Sequence, residues 1–141
     1  MHNYSIQAAS FCLCLMMFLS TIGQSSENQT WQKTSEQGKF VVELIAPGAD
    51  IRLSEFLDWK VVIRDADSNQ GVTPVRVAVG GGMPAHGHGL PTQPQVTEHL
   101  GDGHYQLEGL MFNMAGQWQL VLGINTRQHA DRVVFDLTLD H

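Results

Sequence analysis

The sequence contains very little cysteine. Its two cysteines, Cys12 and Cys14, both lie within the first 25 residues. If that segment is removed, the remaining chain has no thiol, and neither a disulfide nor a thiolate metal site can form in it. The folded part must then be stabilised by its core alone. Any site for a soft metal must be built from methionine and histidine.

The N-terminal segment, residues 1–25, is predicted to be a signal peptide. An apolar run at residues 10–19 leads into small and polar residues at 20–25. This length fits a secretory signal better than a transmembrane helix. An uncleaved single-span anchor is the alternative. We therefore expect a periplasmic or secreted protein with no membrane span after cleavage.

Basic residues are also scarce. The chain has 8 Lys and Arg against 14 Asp and Glu, which gives a net charge of −6. The scattered basic residues form neither a stripe for nucleic acid nor an amphipathic helix for a membrane surface. The sequence also lacks a nucleophile–base arrangement, a paired acidic motif and a nucleotide-binding loop, so we expect no enzymatic activity.

The sequence lacks sustained helical periodicity as well. Seven short apolar segments are separated by turn residues. They predict an all-β, immunoglobulin-like, seven-strand antiparallel β-sandwich over residues 39–141. The predicted strands are 40–46, 57–63, 75–79, 96–100, 105–111, 118–124 and 133–139. The predicted core contains Val41, Trp59, Val61, Ile63, Val77, Leu107, Trp118, Leu120, Leu122 and Phe135. Residues 26–38 are polar and without periodicity, and they are predicted to be a flexible N-terminal arm.

The residues with distinctive chemistry lie in two short segments. Residues 80–89 read Gly-Gly-Gly-Met-Pro-Ala-His-Gly-His-Gly, and residues 111–114 read Met-Phe-Asn-Met. The first segment is predicted to be an irregular loop because of its glycine and proline. Imidazole and thioether are the side chains that bind copper, especially Cu(I), when no thiolate is available. The candidate ligands are Met83, His86, His88, Met111 and Met114.

The order of the strands predicts that these two segments meet. In an antiparallel sandwich alternate loops gather at one end, which brings 83–88 and 111–116 together. Three further histidines, His99, His104 and His129, fall near the opposite end and are expected on the surface. Trp118 is expected near the cluster, either as a core residue or as a shield for Cu(I).

Each half of the cluster also has a simpler interpretation. A His-Gly-His segment can be a solvated loop, and Met111 and Met114 can fill the core. The convergence of the two segments favours copper, and Cu(I) over Zn(II), because thioether is a poor zinc ligand. The alternative is a metal-free interaction module that docks a partner protein through the glycine-rich loop 80–91.

The two segments resemble the YtkA-like and FixH-like group of exported bacterial β-sandwich domains. In that group a Met-Pro-x-His-x-His loop precedes a Gly-x-Tyr strand and a segment with Met and Gly-x-Trp; here these are residues 83–88, 103–105 and 111–118. The resemblance covers roughly residues 39–140. It implies an immunoglobulin-like fold and a link to copper transfer, copper homeostasis or assembly of respiratory oxidases. It also places the five candidate ligands at motif positions and suggests a copper-accepting or oxidase-assembly protein as partner.

Overall fold

Short strands occupy most of the chain from Thr30 to Leu139. In the computed structural model, which describes residues 27–140, nine strands and one 3₁₀ helix follow one another. The strands are β1 Thr30–Thr34, β2 Phe40–Ile45, β3 Trp59–Asp65, β4 Arg76–Met83, β5 His88–Gly89, β6 Gln95–Gly101, β7 His104–Glu108, β8 Gly116–Asn125 and β9 Ala130–Leu139, with the 3₁₀ helix at Pro84–His86. The predicted signal peptide, residues 1–25, lies outside the described residues.

The strands form two antiparallel sheets, as a β-sandwich requires. One sheet has the order β1-β2-β3-β7-β6 and the other has the order β5-β4-β8-β9. The predicted all-β class is thereby confirmed. The described residues contain nine strands rather than seven, because β1 and the two-residue β5 are additional to the predicted set. In residues 27–140 no helix is long and apolar enough to cross a membrane.

Strand β1 corrects the expectation of a flexible arm at residues 26–38. Its backbone pairs with β2 from Thr30 opposite Ile45 to Thr34 opposite Val41. The half-buried ring of Trp31 stacks on Trp59 with centroids 6.0 Å apart. An edge strand of this kind is held by backbone pairing and one apolar side chain, and it does not need alternating apolar residues. The polar composition of the segment therefore did not predict a strand.

The core lies between the sheets and agrees with the predicted core at eight of its ten positions. Those eight side chains are at most 1% exposed, whereas Val41 and Val77 are only half-buried. In β2 the buried residues are Phe40, Val42 and Leu44. The prediction therefore chose the wrong face of β2, because an apolar residue stands on both of its faces and alternation does not distinguish them.

The glycine-rich segment 80–89 is more regular than predicted. Strand β4 continues through Gly80–Gly82 to Met83 and pairs with β8, with Gly81 opposite Leu120. A Cβ atom at Gly81 would lie 2.0 Å from the Gln119 carbonyl oxygen. Glycine here permits close approach of two paired backbones, so it belongs to a strand rather than to an irregular loop.

Strand β7 is shorter than predicted. It ends at Glu108, and Gly109 adopts a positive φ of 76°. This turn breaks the alternation that the sequence suggested through Met111. As a result Leu110 and Phe112 are buried, and Met111 is half-buried.

Candidate metal site

The two segments with candidate ligands lie at the same end of the sandwich, as strand order predicted. The β4–β8 ladder brings Gly82 opposite Gln119, next to the start of β8. A Cβ atom at Gly116 would lie 2.8 Å from Cε of Met83. Met83 therefore contacts the segment that follows Met111 and Met114.

Met83 itself is a core residue. It ends β4 opposite His88 of β5, and its side chain is 1% exposed. A thioether in this position packs against apolar neighbours. Direct binding of a surface ion by its sulfur requires the residues around Met83 to move.

The two histidines lie above Met83 and are exposed. His86 ends the 3₁₀ helix, Gly87 follows in the left-handed conformation, and His88 begins β5. The backbone therefore turns between the two histidines. Their ring centroids are nevertheless 6.0 Å apart, with the ring planes inclined by 46°.

The hydrogen bonding of His88 determines which of its nitrogens can bind a metal. Its Nδ1 lies 2.9 Å from the Gly89 carbonyl oxygen. A carbonyl only accepts, so Nδ1 carries the proton and donates. In the neutral ring the lone pair is then on Nε2. A hydrogen bond from the other ring nitrogen is the usual support of a metal-binding histidine.

Trp118 connects the histidines with the methionine segment. The His88 ring meets the Trp118 ring edge-on, with centroids 5.6 Å apart and a 70° angle. On its other side Nε1–H of Trp118 donates to the Met114 carbonyl oxygen at 3.0 Å. Trp118 is 1% exposed and packs edge-on against Phe112 at 5.2 Å. It is therefore a core residue that also contacts the cluster.

The two later methionines differ in their surroundings. Both are half-buried, and Met114 packs against the hydrophobic core. Met111 lies between the buried Leu110 and Phe112. The structure thus brings Met83, His86, His88 and Met114 into one region through direct contacts and Trp118, and it places Met111 in the same connecting segment.

Three other histidines within residues 27–140 lie on elements away from this region. His99 stacks against Tyr105 at 4.8 Å between β6 and β7, and His129 meets Phe40 edge-on at 6.5 Å. The Nδ1 of His104 donates to backbone carbonyl oxygens of the β6–β7 turn. His99 and His129 are exposed and His104 is half-buried.

The donor set restricts the ions that one chain can hold. Within residues 27–140 no group of three or more His, Asp or Glu side chains is placed to hold a metal ion. The candidate donors at this end are the two imidazoles and the thioethers of Met83, Met111 and Met114. This set suits Cu(I) and is poor for hard ions, which require oxygen ligands.

Gly116 and Phe112 are two structural residues of the site that the sequence did not single out. Gly116 leaves room for the methyl group of Met83, and Phe112 packs between Trp59 and Trp118. The Gly-x-Trp pattern at residues 116–118 could have indicated Gly116 from the sequence. The position of Phe112 depends on the turn at Gly109, which apolar alternation does not reveal.

Fold and site together define a small antiparallel β-sandwich with imidazole and thioether groups at one end. The YtkA-like family model matches residues 57–123, a range that includes all five candidate ligands. The resemblance to the YtkA-like family that the motifs indicated is therefore confirmed over residues 57–123. No curated protein and no solved structure matches the chain significantly.

Proposed function

We propose that this YtkA-like domain binds one Cu(I) ion at the end formed by residues 83–88 and 111–118. The observation that carries the proposal is the convergence of the two segments. His88 is opposite Met83 in the β4–β5 pair, and its ring contacts Trp118, whose indole N–H holds the Met114 carbonyl. The expected signal peptide supports a periplasmic or secreted location, where copper transfer, copper homeostasis or oxidase assembly would be the role.

The histidines are the proposed entry point for the ion. Each is exposed, and a metal midway between rings 6.0 Å apart would be about 3 Å from each centroid. A metal–nitrogen bond of about 2 Å gives a similar distance. The spacing therefore allows both rings to bind one ion, and Nε2 of His88 has the lone pair for it.

The methionines are the proposed source of selectivity for Cu(I). Thioether requires no deprotonation and binds Cu(I) well and Zn(II) poorly. The backbone carbonyl of Met114 accepts a hydrogen bond from the indole N–H of Trp118, and Met83 lies opposite His88 in the β4–β5 pair. Because Met83 is buried, its participation would require a shift of the 84–88 segment, which Gly87 can accommodate in its left-handed conformation.

Competition against a Cu(I) chelator tests this function. Leucine replaces methionine with little change of volume, so it removes sulfur while sparing the fold. The double variant Met83→Leu/Met111→Leu and the single variant Met114→Leu should bind Cu(I) at least about tenfold more weakly. Loss even of a group that only supports a metal ligand by a hydrogen bond costs about 10–100-fold in affinity. The matched control His99→Ala/His129→Ala should bind as the wild type does. Equal competition by all four proteins would contradict the proposal.

One observation favours the metal-free interaction module as a second candidate. Met83, the first methionine of the motif, is committed to the core at 1% exposure. In that case the exposed segment 84–89 would contact a partner protein directly. Unaltered Cu(I) affinity in every methionine variant would favour this module.

A further inference from the structure

We propose that His86 and His88 also form half of a Zn(II) site, which a second copy of the chain completes with its own two histidines. This inference does not depend on Cu(I) binding. It rests on the exposed imidazole pair, on the lack of a third His, Asp or Glu placed to join the pair within the described residues, and on the low net charge of the sequence around the pair.

One chain offers too few ligands for Zn(II). Zinc sites use four ligands from Cys, His and carboxylate groups, usually in a closed tetrahedron. The neighbours of the histidine pair are Met83, through strand pairing, and Trp118, through ring contact. Neither side chain is a zinc ligand. In residues 27–140 no third His, Asp or Glu joins a histidine pair.

A second copy can supply the missing ligands by symmetry. Around a two-fold axis through the ion, each chain would give the same two imidazoles, and the four would be equivalent. The segment that carries them is accessible, because Pro84–Gly89 is exposed at every residue. The proton on Nδ1 of His88 leaves Nε2 for the ion.

The charge distribution permits two copies to meet at this end. The chain has a net charge of −6, which opposes self-association in general. Residues 77–97 and 109–126, however, contain no Asp, Glu, Lys or Arg. These two stretches include the histidine pair and the β8 segment beside it. Asp136, which lines a hollow with Pro84 and Ala85, forms an ion pair with Lys33 at 2.8 Å, so the meeting surfaces carry little net charge. Depletion of charge is also characteristic of interface cores.

The dimer should depend on the metal. A stable interface without metal buries about 1,200–2,000 Å² in total. The exposed segment Pro84–Gly89 is six residues long, and contact through it alone would be smaller. Zn(II) should therefore give a dimer with half an ion per chain, and its removal should restore the monomer. Cu(I), which accepts thioether, should instead bind once per chain without dimerisation.

Sedimentation velocity of the purified protein, with ZnCl₂ or with EDTA, tests the inference. The wild type should double in mass as Zn(II) reaches half an equivalent per chain and should return to monomer with EDTA. His86→Ala and His88→Ala should each remain monomeric at that zinc level, whereas the control His99→Ala/His129→Ala should dimerise as the wild type does. Folding of each variant is checked by circular dichroism, and bound zinc is measured on the separated species.

The outcomes separate this inference from the proposed Cu(I) function. A monomer at all zinc concentrations, a dimer that persists in EDTA, or a zinc dimer indifferent to both histidine variants would overturn the four-histidine site. None of these results affects the chelator competition with Cu(I). Conversely, a zinc dimer that requires His86 and His88 would support the inference even if the methionine variants bind Cu(I) normally.

Discussion

The indole N–H of Trp118 donates to the backbone carbonyl of Met114 at 3.0 Å, and on its other side the Trp118 ring contacts His88. One buried side chain thus spans the two segments in which the candidate ligands lie. The relationship has consequences for both stability and copper binding.

Trp118→Phe should weaken the link between the two segments. The Met114 carbonyl loses its donor, which should lower the free energy of unfolding by about 1–2 kcal/mol. Cu(I) should quench tryptophan fluorescence in the wild type and much less in this variant. Trp31→Phe, which changes a ring that stacks on Trp59 in the other sheet, is the control and should retain the quenching. Identical quenching in both variants would show that Trp118 does not adjoin the ion.

Gly116→Ala should destabilise the domain through Met83. The new Cβ would approach Cε of Met83 to 2.8 Å at a φ of +125°. Overpacking of a buried side chain costs about 1–3 kcal/mol, in addition to the backbone strain. Gly87→Ala is the control, since its φ is +69° and no atom lies within 4 Å of its Cβ. It should lose only about 1–2 kcal/mol from strain. Urea unfolding compares the two, and an equal loss would contradict the contact with Met83.

Alanine substitutions at two neighbouring positions after the turn at Gly109 should distinguish the observed burial from the alternation expected from sequence. Phe112 is 1% exposed and packs between Trp59 and Trp118, so Phe112→Ala should cost about 3–5 kcal/mol. Met111→Ala should cost about 1 kcal/mol because the side chain is half-buried. If Phe112→Ala does not fold, the milder Phe112→Leu gives the same ranking. A larger loss of stability from Met111→Ala than from Phe112→Ala would instead support a strand that continues through Met111.

Acid should destabilise the domain through Asp131, which is 7% exposed. Burial raises the pKa of this carboxyl, but hydrogen bonds from the Ser35 hydroxyl and from the backbone N–H groups of Gln37, Arg132 and Lys39 outweigh it. The pKa therefore lies below its ordinary value. Because the folded pKa is lowered, this stabilisation is complete above the unfolded pKa of about 3.9 and is lost as pH falls through the folded pKa.

Asp131→Asn should remove that part of the acid sensitivity. The variant should be less stable than the wild type at pH 7, by about 2 kcal/mol, and the difference should shrink below about pH 4. Urea unfolding from pH 7 to pH 2 measures it. Asp140→Asn, which changes an exposed carboxylate, should follow the wild type. A constant difference between wild type and Asp131→Asn at all pH values would contradict the assignment.

The sequence by itself determined the class of the fold and the location of the cluster. Alternating apolar residues with turns between them require paired strands, and strand order then requires that 83–88 and 111–116 share an end. The alternation of apolar residues is a local feature, and the end at which each loop lies follows from the order of antiparallel strands. These two features were enough to predict the fold class and the location of the cluster. The YtkA-like resemblance followed from the same motifs.

Tertiary structure alone decided which of those residues are buried and how they meet. Strand β1 forms because its backbone pairs with the edge of β2 and because Trp31 stacks on Trp59. Both partners lie outside residues 26–38, so the polar sequence of that segment does not indicate them. Met83 is in the core and Met111 is not, because Gly81 lets β4 run on beside β8 whereas Gly109 turns the chain after β7. Alternation records which residues are apolar, but burial depends on which backbone lies opposite, and that is fixed only when the two sheets pack.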